Sequence, residues 1–563
     1  MECSGKPEAP VVHMIGKAHI DPVWLWTRDE GRQEVLRTAR TLCDLMKEHP
    51  DMTFSFAQAQ SYAWIEGADS QLFQRIGELV AEGRWHIVGG MWVQPDCNLP
   101  SGEAFVRQLL YAQRYFDSRF GRRARVGYNV DSFGHAGTLP QLLAKAGLDS
   151  YVYFRPDPQR EVTLDEDLYW WQSPDGSRVL ACRPPNHYCT WAGDIEAWVV
   201  NSVVHAPERA RSVLCFFGVG DHGGGPTREN IESIRLLAAR DDMPPVVFGS
   251  LEAFFAEARN ARRDYSVRRM DLQHHAPGCY SVHSGIKRWN RQAERKLVAA
   301  EKANAVLSML GSGPLAGTMA FEEAWRLVLF NQFHDILAGT SIPEAYEEAR
   351  EDFGEVERIC DGMSRAVLGR LAAHTDCRGE GQAVFAFNPC SWPRAAVVEV
   401  AAEGNRAATL EGSGLPYQRA HDGKVLVALP APALGGACFH LLEAEGSAAG
   451  ASSLAVELRA TDRSLENEFW RLEVDPDTGE WLSLYDKQAQ VEVLSAAGNA
   501  LVVLDDPSDT WSHGVRGYHV SVGRFGRAKV TLLEQGPIRV SLAVERRFGH
   551  SLVRERVSLY AGQ

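Results

Sequence analysis

Four short apolar runs in this chain end in histidine, carboxylate or arginine residues of the types that bind metal ions and move protons. His19 and Asp21, in His19-Ile-Asp21-Pro-Val-Trp24, follow the run 11–18. Residues two apart in an extended segment share a face, so both can ligate one cation; a hydrogen-bonded pair explains the same spacing. Asp131 opens Asp131-Ser-Phe-Gly-His135 after the run 125–130, as a third ligand or as the N-cap of a helix after Gly137. Arg155 ends the run 151–154, and Asp221 lies in Gly218-Val-Gly-Asp221-His222-Gly-Gly-Gly225 after the run 213–217. Histidine and carboxylate donors suit zinc or another first-row divalent ion, and the lack of cysteine donors argues against a purely structural zinc site. Charged groups at converging strand ends are costly unless paired or metal-bound. One such end means little; four on neighbouring units define a site.

His334 comes from a different setting, Asn331-Gln-Phe-His334-Asp335-Ile-Leu-Ala-Gly339-Thr340, at the end of an apolar helical pattern. A core or capping histidine is the ordinary account of such a position. The adjacent Asp335 and the tight turn at Gly339 single it out. His135, His222, His274, His275 and His283 lack such company and read as polar loop residues.

Elements that would position these groups follow from the patterning. Up to about residue 260, strand-like runs (11–18, 53–57, 85–88, 125–130, 151–154, 178–182, 213–217, 246–249) alternate with helical stretches such as 103–119 and 139–146, the latter stopped by Gly147. That alternation implies parallel β-α units, in which chemistry sits at the carboxyl ends of the strands. Between about 285 and 375 the helical patterns 291–310, 321–336 and 343–373 predict a three-helix bundle, with Ser341-Ile-Pro-Glu344 as a capping box. After Gly379 the sequence alternates and turns often, the signature of antiparallel β structure. The expected architecture is α/β: a parallel β/α barrel-like catalytic domain at 1–265, a helical bundle at 266–378 that contributes a metal ligand, and a β-sandwich region at 379–563. The last reads as incomplete, because the chain stops at Gln563 just after a strand.

The formal net charge of −14 and the absence of a basic stripe argue against nucleic acid or an anionic membrane as partner. No segment has the apolar length to span a bilayer, and the polar residues 1–10 do not read as a secretory signal. Eleven scattered cysteines with no C-x-x-C pair read as free thiols of a reducing, cytoplasmic compartment. A homo-oligomer is left open.

Taken together, His19-Ile-Asp21-Pro-Val-Trp24, Asp131-Ser-Phe-Gly-His135, Gly220-Asp221-His222-Gly-Gly-Gly225-Pro226 and Asn331-Gln-Phe-His334-Asp335 resemble motifs of the α-mannosidases of glycoside hydrolase family 38. Gly89-Gly-Met-Trp92-Val-Gln-Pro-Asp96, Lys287-Arg-Trp-Asn290-Arg291 and Phe387-Asn-Pro-Cys-Ser-Trp392-Pro-Arg394 add to the set. The motifs run in collinear order through nearly the whole chain, and the three-part layout is similar to that family's.

The resemblance implies a retaining, exo-acting α-mannosidase whose substrate is a terminal α-mannoside or oligosaccharide. His19, Asp21, Asp131 and His334 would hold one divalent cation, Zn²⁺ with Co²⁺ as the other candidate, and Asp131 would also be the nucleophile. Asp221 would be the acid and base, since a retaining glycosidase needs a second carboxyl about 5–5.5 Å from the first; the family can carry two adjacent acids here, whereas this chain has His222 beside Asp221. Arg155 would contact the nucleophile, Trp24 and Trp92 would wall the sugar or else be core aromatics, and Asp335 would bind a hydroxyl or orient His334. Two other functions use the same residues: a metal-dependent carbohydrate deacetylase or amidase acting through metal-bound water, and an inactive carbohydrate-binding homologue. Linkage preference is not written in these motifs.

Overall fold

The computed structural model describes residues 9–563 except 158–163, 165, 192, 207–209, 262–263, 274–275, 314–317, 402–405, 411–412, 444–457 and 516. His274 and His275 therefore lie outside the described residues.

The N-terminal region is built on strands β1 (Val11–Gly16), β2 (Phe54–Phe56), β3 (Trp85–Ile87), β4 (Val126–Asn129), β5 (Ser150–Tyr153), β6 (Leu168–Gln172), β7 (Arg178–Cys182), β8 (Ser212–Phe217), β9 (Val246–Phe248) and β10 (Val267–Arg268). They form three ladders, β8-β1-β9, β2-β3 and β10-β6-β7-β5-β4. All pairings are parallel except that of β6 with β7. Val12, Met14 and Ile15 of β1 are all fully buried. A parallel strand covered on both faces buries successive residues without alternation, His13 included. Tyr128, Val130, Val152, Phe154, Leu180 and Phe216 share one core cluster, each large side chain contributing roughly 1.5–3 kcal/mol on burial.

The helices between the strands begin and end where local chemistry directs. Arg28–Glu48 starts at a capping box in which Thr27 and Glu30 satisfy each other's backbone, and it buries Val35, Ala39, Leu42 and Met46. In Gly102–Phe120, Ser101 Oγ accepts from Ala104 N at 3.2 Å, and Gly121 closes the helix at φ +61°. Ser250 caps Leu251–Ala261 through Ala253 N at 3.1 Å.

The helical region differs from the expected pattern at the position that matters most. The apolar stretch expected to run unbroken over 321–336 is two helices, Thr318–Phe330 and His334–Ala338, separated by a turn. The ladder tightens there: Asn331 N still reaches Leu327 O at 3.1 Å, but Gln332 and Phe333 bond only three residues back, to Leu329 O and Phe330 O, while the Asn331 amide donates to Asp352 at 2.7 Å. His334 thus stands at the start of a short helix, with Phe333 before it as N-cap. Ser341 is not a capping residue either; its hydroxyl donates to Asp335 O at 3.1 Å.

The C-terminal region is β-rich and antiparallel. Gln382–Asn388 pairs with Gly435–Glu443, Arg394–Val400 with Val425–Ala431, and Gly526–Gln535, Arg539–Phe548 and Ser551–Tyr560 form a three-stranded sheet. Val425, Val427, Leu429 and Phe439 are fully buried in one cluster, and Val540 and Leu542 in another. By packing, the chain divides into two compact units, one of Met1–Leu297, Met319–Ile359 and Ser508–Arg516, the other of Val298–Thr318, Cys360–Pro507 and Gly517–Gln563. The ten described cysteines are free, and no described helix is long and apolar enough to cross a membrane.

Candidate metal centre and active site

Beyond β1 the chain passes through Lys17 and Ala18 to His19 and Asp21. The loop after β8 lies alongside, with Asp21 N donating to Asp221 O at 2.9 Å. Gly218 permits this approach, because a Cβ there would stand 2.3 Å from Lys17 O. Asp131 follows β4, and His334 enters from the helical region with its backbone N–H on Gln94 O at 3.3 Å.

Four side chains meet here. One donor atom from each of His19, Asp21, Asp131 and His334 lies within 4.8 Å of every other. His19 Nε2 is 2.9 Å from Asp21 Oδ1, His334 Nε2 is 3.5 Å from the same oxygen, and both imidazoles are 3.8 Å from Asp131 Oδ2. Two atoms bound to one ion at about 2.1 Å stand roughly 3.0–3.5 Å apart at right or tetrahedral angles, so the spacing is that of a ligand shell. His19 Nε2, Asp21 Oδ1 and His334 Nε2 are buried without a hydrogen-bond partner. Three such orphans turned to one point are costly, and a cation satisfies all of them at once. The mixed imidazole and carboxylate set fits a first-row divalent ion better than calcium or magnesium, which prefer oxygen throughout.

Gln94 fixes both imidazoles. Its carbonyl accepts from His334 Nδ1 at 2.8 Å, which leaves Nε2 unprotonated toward the cluster. Its side-chain amide is 3.1 Å from His19 Nδ1. For His19 to ligate through Nε2 that Nδ1 carries the proton and the amide presents its oxygen, an orientation with the same heavy-atom positions.

Electrostatics separate the two catalytic candidates. Burial works against charge on Asp131, but Arg155, His19 and His334 outweigh it and hold the carboxyl well below the usual range. Arg155 Nε donates directly to Asp131 Oδ1, leaving Oδ2 toward the imidazoles. At Asp221 the balance reverses: burial, then the negative charge of Asp131, raise its pKa against the pull of His19. Tyr188 donates to Asp221 Oδ1 at 3.1 Å, and its ring meets His19 edge-on at 5.3 Å. Asp221 adopts φ +68°, a left-handed conformation that aspartate tolerates better than most residues. Burial lowers His334, yet the Asp21 carboxylate 3.5 Å away and the charges of Asp335 and Asp131 lift it to about 9. The cluster thus draws a positive charge into its centre, a proton when no ion is bound.

The remaining sequence candidates fall into distinct places. Asp335 is buried; Thr340 Oγ1 donates to its Oδ1 at 2.5 Å and its Oδ2 is 3.7 Å from His334 Nε2. Burial first, then the charges of Asp21 and Asp131, raise Asp335 to about 8 against the pull of His334. Trp24 is half-buried and meets Trp26 and Trp511 edge-on at 5.7 and 6.3 Å. Trp92 is packed into the core: it is 2% exposed, its Nε1 donates to Gln60 at 2.9 Å, and Arg326 covers its ring at 4.7 Å. His135, expected as a polar loop residue, is fully buried; Tyr151 OH and Arg155 O hold its two ring nitrogens at 2.8 and 3.0 Å. It anchors the backbone of the arginine that faces Asp131. Gln94 and Tyr188 were not anticipated; Gln94 lies within the Gly89–Asp96 motif, whereas nothing in the spacing around Tyr188 marks it.

Three family models match the chain in order: Glycosyl hydrolases family 38 N-terminal domain at residues 9–276, Alpha mannosidase middle domain at 274–371, and Glycosyl hydrolases family 38 C-terminal domain at 465–563. Alpha-mannosidase 2C1 of Homo sapiens is 29% identical over 521 residues, which are 90% of this chain and 48% of the human protein. Alpha-mannosidase G of Dictyostelium discoideum is 26% identical over 571 residues, 95% of this chain and 52% of that protein. The chain spans about half the length of these curated relatives. Among solved structures, an alpha-mannosidase from Enterococcus faecalis V583 shares the fold with a TM-score of 0.81 at 16% identity, covering 98% of this chain and 72% of that one. Matched along both its α/β and β-rich regions, the chain belongs to glycosyl hydrolase family 38.

Proposed function

We propose that the protein is a retaining, exo-acting α-mannosidase that uses one divalent cation, zinc before cobalt, held by His19, Asp21, Asp131 and His334. The observation that carries this reading is the convergence of those four donors, three of their atoms buried and unpartnered, in a chain of family 38. When bound, the cation would supply a Lewis-acidic anchor for two hydroxyls of the mannose ring.

The chain's own groups then divide the work. Asp131, kept ionised beside Arg155, attacks the anomeric carbon. Its carboxylate oxygen bonds to that carbon as the glycosidic bond breaks, and the electron pair leaves with the aglycone oxygen. Asp221, whose pKa burial and the charge of Asp131 raise, donates its proton to that oxygen. The resulting Asp221 carboxylate deprotonates a water, which attacks the anomeric carbon and frees Asp131. Gln94 and His135 hold the imidazoles and Arg155 in place. Trp24 borders the sugar, and Asp335 orients His334 or accepts from a hydroxyl.

The same reading takes the three ladders as one barrel-like domain at 1–265, supported by a bridge from Lys17 to Ser55 and by Gly89 N on Val126 O at 2.8 Å, which join successive ladders. Residues 266–378 are then the helical bundle and 379–563 the β-sandwich region. The free thiols suit a cytoplasmic location.

A slowly released fluorinated α-mannosyl fluoride tests the mechanism. We expect one fluoromannosyl group per chain, located on Asp131 by peptide mass spectrometry. Turnover of an α-mannoside with no adduct forming at Asp131 would remove the double-displacement reading and favour attack by water.

A further inference from the structure

We propose that Trp26 and His222 form the platform on which the leaving sugar rests. The proposal builds on the assignment of Asp221 as proton donor. The leaving oxygen receives its proton from Asp221, so the unit attached to that oxygen lies beside the Asp221 loop. His222 is the next residue in that loop and is exposed. Its ring lies 4.3 Å from that of half-buried Trp26, at an interplanar angle of 58°.

Trp26 is held in position from two sides. Its Nε1 donates to Asp21 O at 2.9 Å, and Trp24 meets its ring edge-on at 5.7 Å. Asp21 N in turn donates to Asp221 O. The indole is therefore fixed to the backbone of one metal-ligand candidate, and the imidazole follows the proton donor directly in the chain. An indole face takes the apolar C–H face of a pyranose, and a neighbouring imidazole offers a hydrogen bond to its hydroxyls. Neither ring is needed by the chemistry assigned to Asp131 and Asp221, and the packing of two aromatic rings at an open rim otherwise leaves apolar surface in water.

The test compares two substrates that differ only in what leaves. An α-linked mannobiose departs as a sugar and requires a proton; α-mannosyl fluoride departs as fluoride and presents nothing to the platform. For His222→Ala and Trp26→Ala we expect the ratio of kcat/KM for mannobiose to that for the fluoride to fall at least about tenfold, mainly through KM. Trp26→Phe should retain most of the ratio, since a ring face remains. His222 is exposed, so its variant keeps the test open if Trp26→Ala does not fold. A ratio that stays constant, or both substrates failing in parallel, overturns the platform and leaves the pair as packing. Wild-type protein that hydrolyses neither substrate overturns the α-mannosidase reading as well, an outcome distinct from wild type that cleaves both while the variants keep its ratio.

Discussion

Two buried clusters of charged side chains, one in each compact unit, are built on opposite principles. In the β-rich unit Arg539 donates to both oxygens of Glu534, at 2.6 and 2.9 Å, and its remaining reach goes to Glu399 and Tyr560. His421 adds two contacts to Glu534 at 3.0 and 2.7 Å, and Gln418 closes the network on Arg539 N and O. Every charge there has its partner within the protein. In the α/β unit, His19 Nε2, Asp21 Oδ1 and His334 Nε2 are equally buried and face one another, yet none completes a hydrogen bond. A completed network holds a fold in one arrangement; an uncompleted one, aimed at a point, marks where something else is to bind.

Asp21→Asn should break the comparison most sharply. The substitution keeps the shape and removes one of the two carboxylates that face the ion site. We expect metal-free stability to change by about 1 kcal/mol or less. Ion affinity should fall by more than the roughly 10–100-fold typical of losing a group behind the ligands, and kcat/KM for an aryl α-mannoside by about 10³-fold. In wild type, an ion at 1,000 times its Kd would add about 4 kcal/mol; at the same ion concentration the variant should gain little. Thermal unfolding with and without metal, beside metal analysis, measures all three. Normal metal uptake with a large loss of metal-free stability would make the two clusters alike and end the distinction.

Glu534→Gln is the counterpart. Burial alone would raise Glu534, but the hydrogen bonds of Arg539 and His421 hold it at about 2, against an ordinary 4.5. Because the folded-state value is the lower one, the resulting stability is present above about pH 4.5 and is lost as pH falls toward 2. That difference corresponds to roughly 3 kcal/mol, and leaving Arg539 buried without its partner costs about 3–5 kcal/mol. Denaturant unfolding at pH 7 should show a loss of that size in the variant, with a flatter decline between pH 4.5 and 2. Metal content should stay at the wild-type level. A stability unchanged at neutral pH would show the network to be no more structural than the site.

The same contrast explains what the sequence could reveal. His19 and Asp21 were legible because strand periodicity puts residues two apart on one face, and Asp131 because it follows the strand-like run 125–130. His334 was legible only through its motif: its helix was expected to continue to residue 336, whereas it ends at Phe330 in a turn that no local pattern reports. Gln94 is an amide among many, and its role exists only once two distant histidines are brought to it. His135, expected as a polar loop residue, and Trp92, read as sugar wall or core aromatic, show the converse. Each lies in a motif shared with the family, yet the structure spends His135 on Tyr151 and Arg155 and packs Trp92 against Gln60 and Arg326. Motifs record which residues matter, and only the packing distinguishes a residue that touches ligand from one that supports it.

Asp221 lies between the two extremes, partnered but not neutralised. Tyr188 gives its Oδ1 one neutral hydrogen bond, while burial and Asp131 press it toward the protonated form. A proton donor must be protonated when substrate arrives, so kcat/KM falls as pH rises through the Asp221 pKa. The hydroxyl of Tyr188 favours the ionised carboxylate. Tyr188→Phe removes that help, raises Asp221 further, and moves the alkaline limb of the pH–rate profile to higher pH. The acid limb belongs to Asp131, whose pKa is lowered chiefly by Arg155 and the two histidines, and it should not move. The plateau should change by no more than about fivefold, the worth of one neutral hydrogen bond. An alkaline limb that moved to lower pH, or an acid limb that moved with it, would place the proton donor elsewhere and make Asp221 one more self-contained structural carboxylate like Glu534.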